Sequence, residues 1–186
     1  MMSIAFFICI FSTLRSLKQI GLISDTHGYL DENVFKHFEN CDEIWHAGDF
    51  GNITIAEKLS EGQPDRNGHS RLLRGVYGNI DGHDIRSIYP EQIVFMCEEV
   101  KVMIRHIGGY PPRYNPETKK ELLLHQPQIF IAGHSHILKV VYEDKLNCLY
   151  MNPGAAGKYG WHKIRTIIRF VIAEKEIKDC EVIELN

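Results

Sequence analysis

The sequence predicts an α/β domain in which two sheets pack together with helices on the outside. Three observations lead there. Apolar runs of strand length alternate with amphipathic segments from Ile20 onward, the first half reads as βα pairs, and the second half turns β-rich behind a hairpin signal. A chain of 186 residues with 44% hydrophobic content suits one domain with a sizeable core, and it contains no internal repeat or low-complexity linker.

The elements follow in order. QIGLIS (Gln19 to Ser24) reads as a buried strand, and Leu30 to Asn40 as a helix with Val34, Phe35 and Phe38 on one face. DEIWHAG (Asp42 to Gly48) is a second strand and Thr54 to Ser60 a short helix. The polar, turn-rich Glu61 to Ser70 belongs in a surface loop, after which RLLRGVYG (Arg71 to Gly78) returns to the sheet. From Glu91 to His106 two apolar runs flank Glu98 and Glu99, a hairpin pattern. Asn115 to Leu124 is a helix, QIFIAG (Gln128 to Gly133) a strand, and short strands alternate with turns as far as CEVIEL (Cys180 to Leu185). Residues 1–19 hold the apolar SIAFFICIFSTL, shorter than the about 20 residues of a membrane span and without the flanks of a secretory signal. They are expected to be an extension outside a domain of residues 20–186, from translation begun upstream of the true start, with a weak membrane anchor as the sharper alternative.

Composition narrows the function classes. A formal charge of −3 and a pI near 6.4 give no broad basic field for a nucleic-acid backbone. Five scattered cysteines without a C-x-x-C pair argue against a disulfide framework or a zinc knuckle, and read as reduced core thiols of a cytoplasmic protein. A homo-oligomer stays open.

Five apolar runs stop at residues of metal-binding type. GLISDTH gives Asp25 and His27, WHAGD gives Asp49, VYGN gives Asn79, VMIRH gives His106, and IAGHSH gives His134 and His136. Ligands gather beyond the carboxyl ends of strands in α/β sheets, so these endings can converge on one crevice. Two carboxylates, four imidazoles and an amide oxygen, with no thiolate, suit manganese, iron or zinc rather than calcium or a structural zinc. Seven donors are too many for one tetrahedral site and suit two neighbouring ions.

Those five blocks resemble the signature of the calcineurin-like metallophosphoesterases. Short length, GNID at Gly78 to Asp81 and NPGA at Asn152 to Ala155 bring the chain closer to the small single-domain YfcE-type phosphodiesterase branch. The resemblance implies a four-layer α/β/β/α sandwich of two mixed sheets, the metallo-dependent phosphatase fold. It also implies two divalent ions, manganese first with iron, zinc or nickel as alternatives. Asp25, His27 and His136 would hold one ion, Asn79, His106 and His134 the other, and Asp49 would bridge them. The implied reaction is hydrolysis of a small-molecule phosphodiester by a hydroxide shared between the ions. Its alternatives are a phosphomonoesterase on the same fold and a protein-binding scaffold like the retromer subunit. Phosphatase branches usually carry a histidine where this chain has Ile80.

The remaining polar residues read less sharply. Thr26 and Ser135 are spacers whose hydroxyls bond to backbone, and Arg105 is a surface or inter-sheet residue. His46 supports the ligands from behind, while His37, His69, His125 and His162 are loop or surface residues. Asp81 caps the following turn or supports the Asn79 loop rather than binding metal, and His83 is a candidate for the general acid. Arg113, Lys119, Lys120 and Lys158 could meet distal phosphate groups or be solvated charges.

Overall fold

The computed structural model describes residues 17–61 and 71–185. Along the chain run β1 (Leu17–Ile23), α1 (Asn33–His37), β2 (Glu43–His46), α2 (Ile53–Glu61), β3 (Leu72–Gly75), α3 (His83–Arg86), β4 (Gln92–Cys97) and β5 (Val100–Arg105). Then come β6 (Gly109–Tyr110), β7 (Arg113–Tyr114), α4 (Pro116–His125), β8 (Ile129–Ile131), β9 (Lys139–Glu143), β10 (Cys148–Asn152), β11 (Arg165–Ala173) and β12 (Glu176–Leu185).

Two five-stranded mixed sheets carry the fold, ordered β12-β11-β1-β2-β3 and β4-β5-β8-β10-β9. In the first, β1, β2 and β3 are parallel and β11 is antiparallel to β1. In the second, β5, β8 and β10 are parallel, flanked by antiparallel β4 and β9. Alternation along each central strand explains the four layers. Ile20 and Leu22 of β1, Trp45 of β2, Val102 and Ile104 of β5, and Ile129 and Ile131 of β8 meet between the sheets. Their neighbours face outward. Ile23 and Ile44 pack with Val34 and Phe38 of α1 and Ile55 and Leu59 of α2, while Met103 and Phe130 pack with Leu122 of α4. Strands covered on both faces read as continuous apolar runs, which is why the sequence showed them.

The differences from expectation have local causes. Helix α1 spans Asn33–His37 rather than 30–40, since Asp31 turns its carboxylate back onto the Asn33 N–H and breaks helical entry. Strand β1 begins at Leu17, paired with Ala173, and residues 1–16, with most of the stretch expected to be an extension, lie outside the described residues. So do 62–70, most of the expected surface loop. The last two strands are long, nine and ten residues, because they form one antiparallel hairpin with a bulge near Phe170. Cys41, Cys97 and Cys148 are buried thiols, but Cys180 lies exposed on the edge strand β12, which corrects its reading as a core residue. Asn115 caps α4 through Thr118 N–H at 2.7 Å with Pro116 at the first turn. Among the described residues, no helix is long and apolar enough to cross a membrane.

Phe38 lies flat over β1 where Gly21 presents no side chain. A Cβ there would fall 2.7 Å from Phe38 Cγ, and the ring belongs to a packed core that cannot yield freely. Gly21→Ala is therefore expected to lower stability by about 1–3 kcal/mol through overpacking. Urea unfolding reads it directly, and an unchanged midpoint would contradict the seating of Phe38 on β1.

Candidate metal centre

The parallel strands of both sheets end on the same side of the sandwich. Asp25 and His27 follow β1, Asp49 follows β2, Asn79 follows β3, His106 follows β5, and His134 and His136 follow β8. Backbone bonds tie these endings together, from Asp25 N to Gly48 O at 3.0 Å, His27 N to Asp49 O at 3.0 Å and Gly133 N to His106 O at 3.1 Å.

Two close groups of donor atoms result. Asp25, His27 and His136 form one, and Asp25, Asp49 and His106 the other, each within 4.8 Å. His136 Nε2 lies 3.2 Å from Asp25 Oδ1, while His106 Nε2 lies 3.3 Å and His27 Nε2 3.7 Å from Asp49 Oδ2. Asp25 thus belongs to both groups, and Asp49 faces one histidine of each. His134 extends the second group, its ring edge-on to His106 and its Nδ1 2.8 Å from Asn79 Oδ1. All seven expected donors are gathered at one place.

The donor set fits cations. Both aspartates are anchored by the protein, Asp25 Oδ2 accepting from Ser24 Oγ at 2.6 Å, the two Asp25 oxygens sharing the His134 N–H at 3.1 and 3.2 Å, and Asp49 Oδ1 accepting from Ile80 N at 3.0 Å. Asp25 Oδ1 and Asp49 Oδ2 turn toward imidazole nitrogens. His106 Nδ1 sits 2.7 Å from the Ala47 carbonyl, so it donates there, and a neutral ring then aims an Nε2 lone pair at carboxylates. That buried Nε2 has no hydrogen-bond partner. His27 Nε2 and His136 Nε2 approach to 3.1 Å, again lone pair against lone pair unless a proton or cation intervenes. Converging negative and lone-pair character is what a divalent ion neutralises. Burial pulls His27 and His134 below the ordinary histidine range, toward the neutral form that ligates. For His136 the hydrogen bond it donates to Asp25 outweighs burial and raises it, and His106 is raised because the two aspartates outweigh its burial. Burial pushes the Asp49 carboxyl up, but His106, the Ile80 N–H and His27 bring it below its usual range.

Five of the seven donors, Asp25, His27, Asp49, His134 and His136, hold left-handed backbone with φ between 48° and 66°. Such strain persists only where surroundings over-determine it. The braces are identifiable. Gly48 N–H donates to His46 Nδ1, so His46 Nε2–H donates to Thr26 Oγ, whose hydroxyl in turn donates to Phe50 O at 3.0 Å. Burial holds that histidine far below its ordinary range, and Phe50 stacks on it. Asp81 accepts from Gly78 N at 2.7 Å and Gly51 N at 2.8 Å, fixing the Asn79 loop, the second of its two expected roles. At Gly78 a Cβ would collide with Asp49 Oδ1 at 2.0 Å, so only glycine lets that loop approach.

Other residues depart from the sequence reading. Arg105 is buried and pairs with Glu91 and with Glu117 of α4, so it faces the α4 layer rather than solvent or the other sheet. His83 opens α3, exposed to solvent. Asn152, placed near the site only by resemblance, donates to Gly133 O at 2.9 Å and Ser135 Oγ at 3.1 Å and so braces the His134–His136 turn. His162 is half-buried with its ring 5.3 Å from that of His136, and Tyr159 packs 5.2 Å from His27. No periodic pattern marks 157–162 because the segment is irregular; it folds back over the site through Gly157 N to Asp25 O at 3.0 Å.

Comparison with known proteins agrees with this geometry. The chain is 29% identical over 152 residues to a probable metallophosphoesterase of Methanocaldococcus jannaschii, covering 78% of this chain and 71% of that one. Among solved structures, a novel archaeal phosphodiesterase superposes with TM-score 0.68 at 22% identity, over 90% of this chain and 99% of that one. Vacuolar protein sorting 29 from Cryptosporidium parvum gives 0.68 at 17% identity, over 91% and 97%. These two likenesses concern the fold. The family model for the calcineurin-like phosphoesterase superfamily domain matches residues 19–175, and the chain belongs to that superfamily.

Proposed function

We propose that the protein is a phosphodiesterase working with two divalent metal ions, manganese first. The observation that carries this reading is the convergence of Asp25, His27, Asp49, Asn79, His106, His134 and His136 at the carboxyl ends of both sheets. Asp25, His27 and His136 would hold one ion and Asn79, His106 and His134 the other, with Asp49 between them. Mixed oxygen and nitrogen donors without thiolate support manganese, with iron, zinc or nickel as the competitors. When bound, the ions supply Lewis acidity, neutralising phosphate charge and acidifying the attacking water.

The chain's own part is positioning. Asp25 and Asp49 are held by Ser24 Oγ and by the His134 and Ile80 N–H groups, and Asp25 Oδ1 and Asp49 Oδ2 face the imidazoles of His136 and His106. Water adds to phosphorus, the P–O bond to one ester group breaks, and the products are a monoester and an alcohol. Ile80 stands 45% exposed beside Asn79, where related phosphatases place a histidine, and it has no proton to give the departing oxygen. This supports diesters over monoesters, since an unactivated alkoxide leaving a dianion needs that proton most. A degraded donor set would favour the scaffold reading, and a full set supports catalysis. The buried free thiols of Cys41, Cys97 and Cys148 support a reducing, cytoplasmic setting.

Chelator-stripped protein should lose hydrolysis of bis(p-nitrophenyl) phosphate and regain it with Mn²⁺; full activity without metal would refute the mechanism. Loss of outer-shell partners in metal sites costs about 10–100-fold, so Asp49→Ala, which faces both donor groups, should exceed about 100-fold in kcat/KM and outweigh any single histidine replacement. Wild-type rates in that variant would contradict a bridging role. Without a donor worth about 10²–10⁴-fold, the rate should fall steeply as the leaving alcohol becomes more basic, and His83→Ala should leave that slope unchanged. A shallow slope that steepens in His83→Ala would identify His83 as the acid instead.

A further inference from the structure

Beside the metal-binding histidines opens a cleft of about 790 Å³ whose far wall is the segment from Lys158 to His162. Its apolar face is unusual for a site built to handle phosphate. Trp161 is 100% exposed, Tyr159 72% and Ile137 66%, and all three line the same cleft as His134 and His136. Single exposed hydrophobic residues are ordinary, but a cluster of them continuous with a candidate reaction centre marks a binding surface.

The wall is held in place. Tyr159 packs against His27 and His162 against His136, and His162 Nε2 donates to Gly157 O at 3.0 Å. Gly160, at φ 130°, passes so close that a Cβ would fall 2.3 Å from His136 Nδ1. Lys158 is seated with its ammonium 4.0 Å from the Tyr29 ring centroid, which places a cation at the margin of the cleft. The segment therefore presents an indole face, a phenol and an ammonium within one cavity that begins at the donor histidines.

We propose that this cleft is the subsite for a flat aromatic group, a nucleobase, on the phosphoester substrate, with Trp161 as its stacking face. The inference rests on the hydrolase reading above and adds the substrate class. Every base has a π-face, and a stacked base on an aromatic side chain is worth roughly 5- to 150-fold in affinity. The chain's formal charge of −3 and the lack of a basic field argue for a mononucleotide or a short ligand rather than a nucleic-acid strand.

The test is calorimetric titration of the full chain with Mn²⁺ present, using adenosine 5′-monophosphate and ribose 5-phosphate, which share the phosphate and sugar and differ by the base. Wild type should bind the nucleotide at least about tenfold more tightly. Trp161→Ala should reduce that preference to near unity, and Trp161→Phe, which keeps a ring, should restore most of it. Equal affinities in wild type, or a full preference in Trp161→Ala, would overturn the subsite. Turnover of bis(p-nitrophenyl) phosphate by wild type is scored separately. Hydrolysis without base preference overturns the subsite and leaves the hydrolase, whereas base preference without hydrolysis of any diester keeps the subsite and overturns the hydrolase.

Discussion

Burying the Asp25 and Asp49 carboxylates among inward-facing imidazole nitrogens is the constraint on which the rest of this structure depends. Both aspartates are nearly inaccessible, and two negative charges withdrawn from water toward one point cost several kcal/mol apiece unless compensated. Hydrogen bonds from Ser24 Oγ and the His134 and Ile80 N–H groups offset part of that cost, and cations facing Asp25 Oδ1 and Asp49 Oδ2 would offset the remainder. The left-handed backbone at five donors has the same origin. A strand that simply ended would splay its side chains to alternate faces, whereas a left-handed residue at Asp25, His27, Asp49, His134 and His136 turns successive donors into one crevice. Three other non-glycine positions with positive φ, Glu98, Gln126 and Asn147, sit at a hairpin turn, a helix cap and a strand-to-strand turn, where such geometry is common.

The architecture serves that crevice. Three parallel strands in each sheet aim their carboxyl ends the same way, and the packing of Trp45, Val102, Ile104 and Ile129 between the sheets fixes one set of endings against the other. Because the donors come from both sheets, the site is a product of the sandwich interface. His46, Asp81 and Asn152 convert this coarse placement into fine position, each by bonding backbone or hydroxyl groups next to a donor. None of the three needs to touch a ligand to matter.

Much of this was legible in the sequence, for physical reasons. Strands buried on both faces appear as unbroken apolar runs, so β1, β2, β5 and β8 stood out, and the donors follow those runs directly. What escaped detection lacks periodicity. Helix α3 is four residues long, β6 and β7 two each, and neither length supports a repeat pattern. Residues 157–162 form no regular element, so nothing in their order announced that Tyr159 and His162 return to the site. For Arg105, alternation with His106 tells only that its side chain points away from the donors; the acidic partners on the outer face of β5 that let it be buried carry no sequence signal.

The central claim is that these seven side chains hold two divalent ions at once. Metal stoichiometry tests it without reference to any substrate. Equilibrium dialysis of the full chain against Mn²⁺, followed by elemental analysis, is predicted to give two ions per chain, whereas one ion per chain, or none retained, would contradict the dinuclear centre.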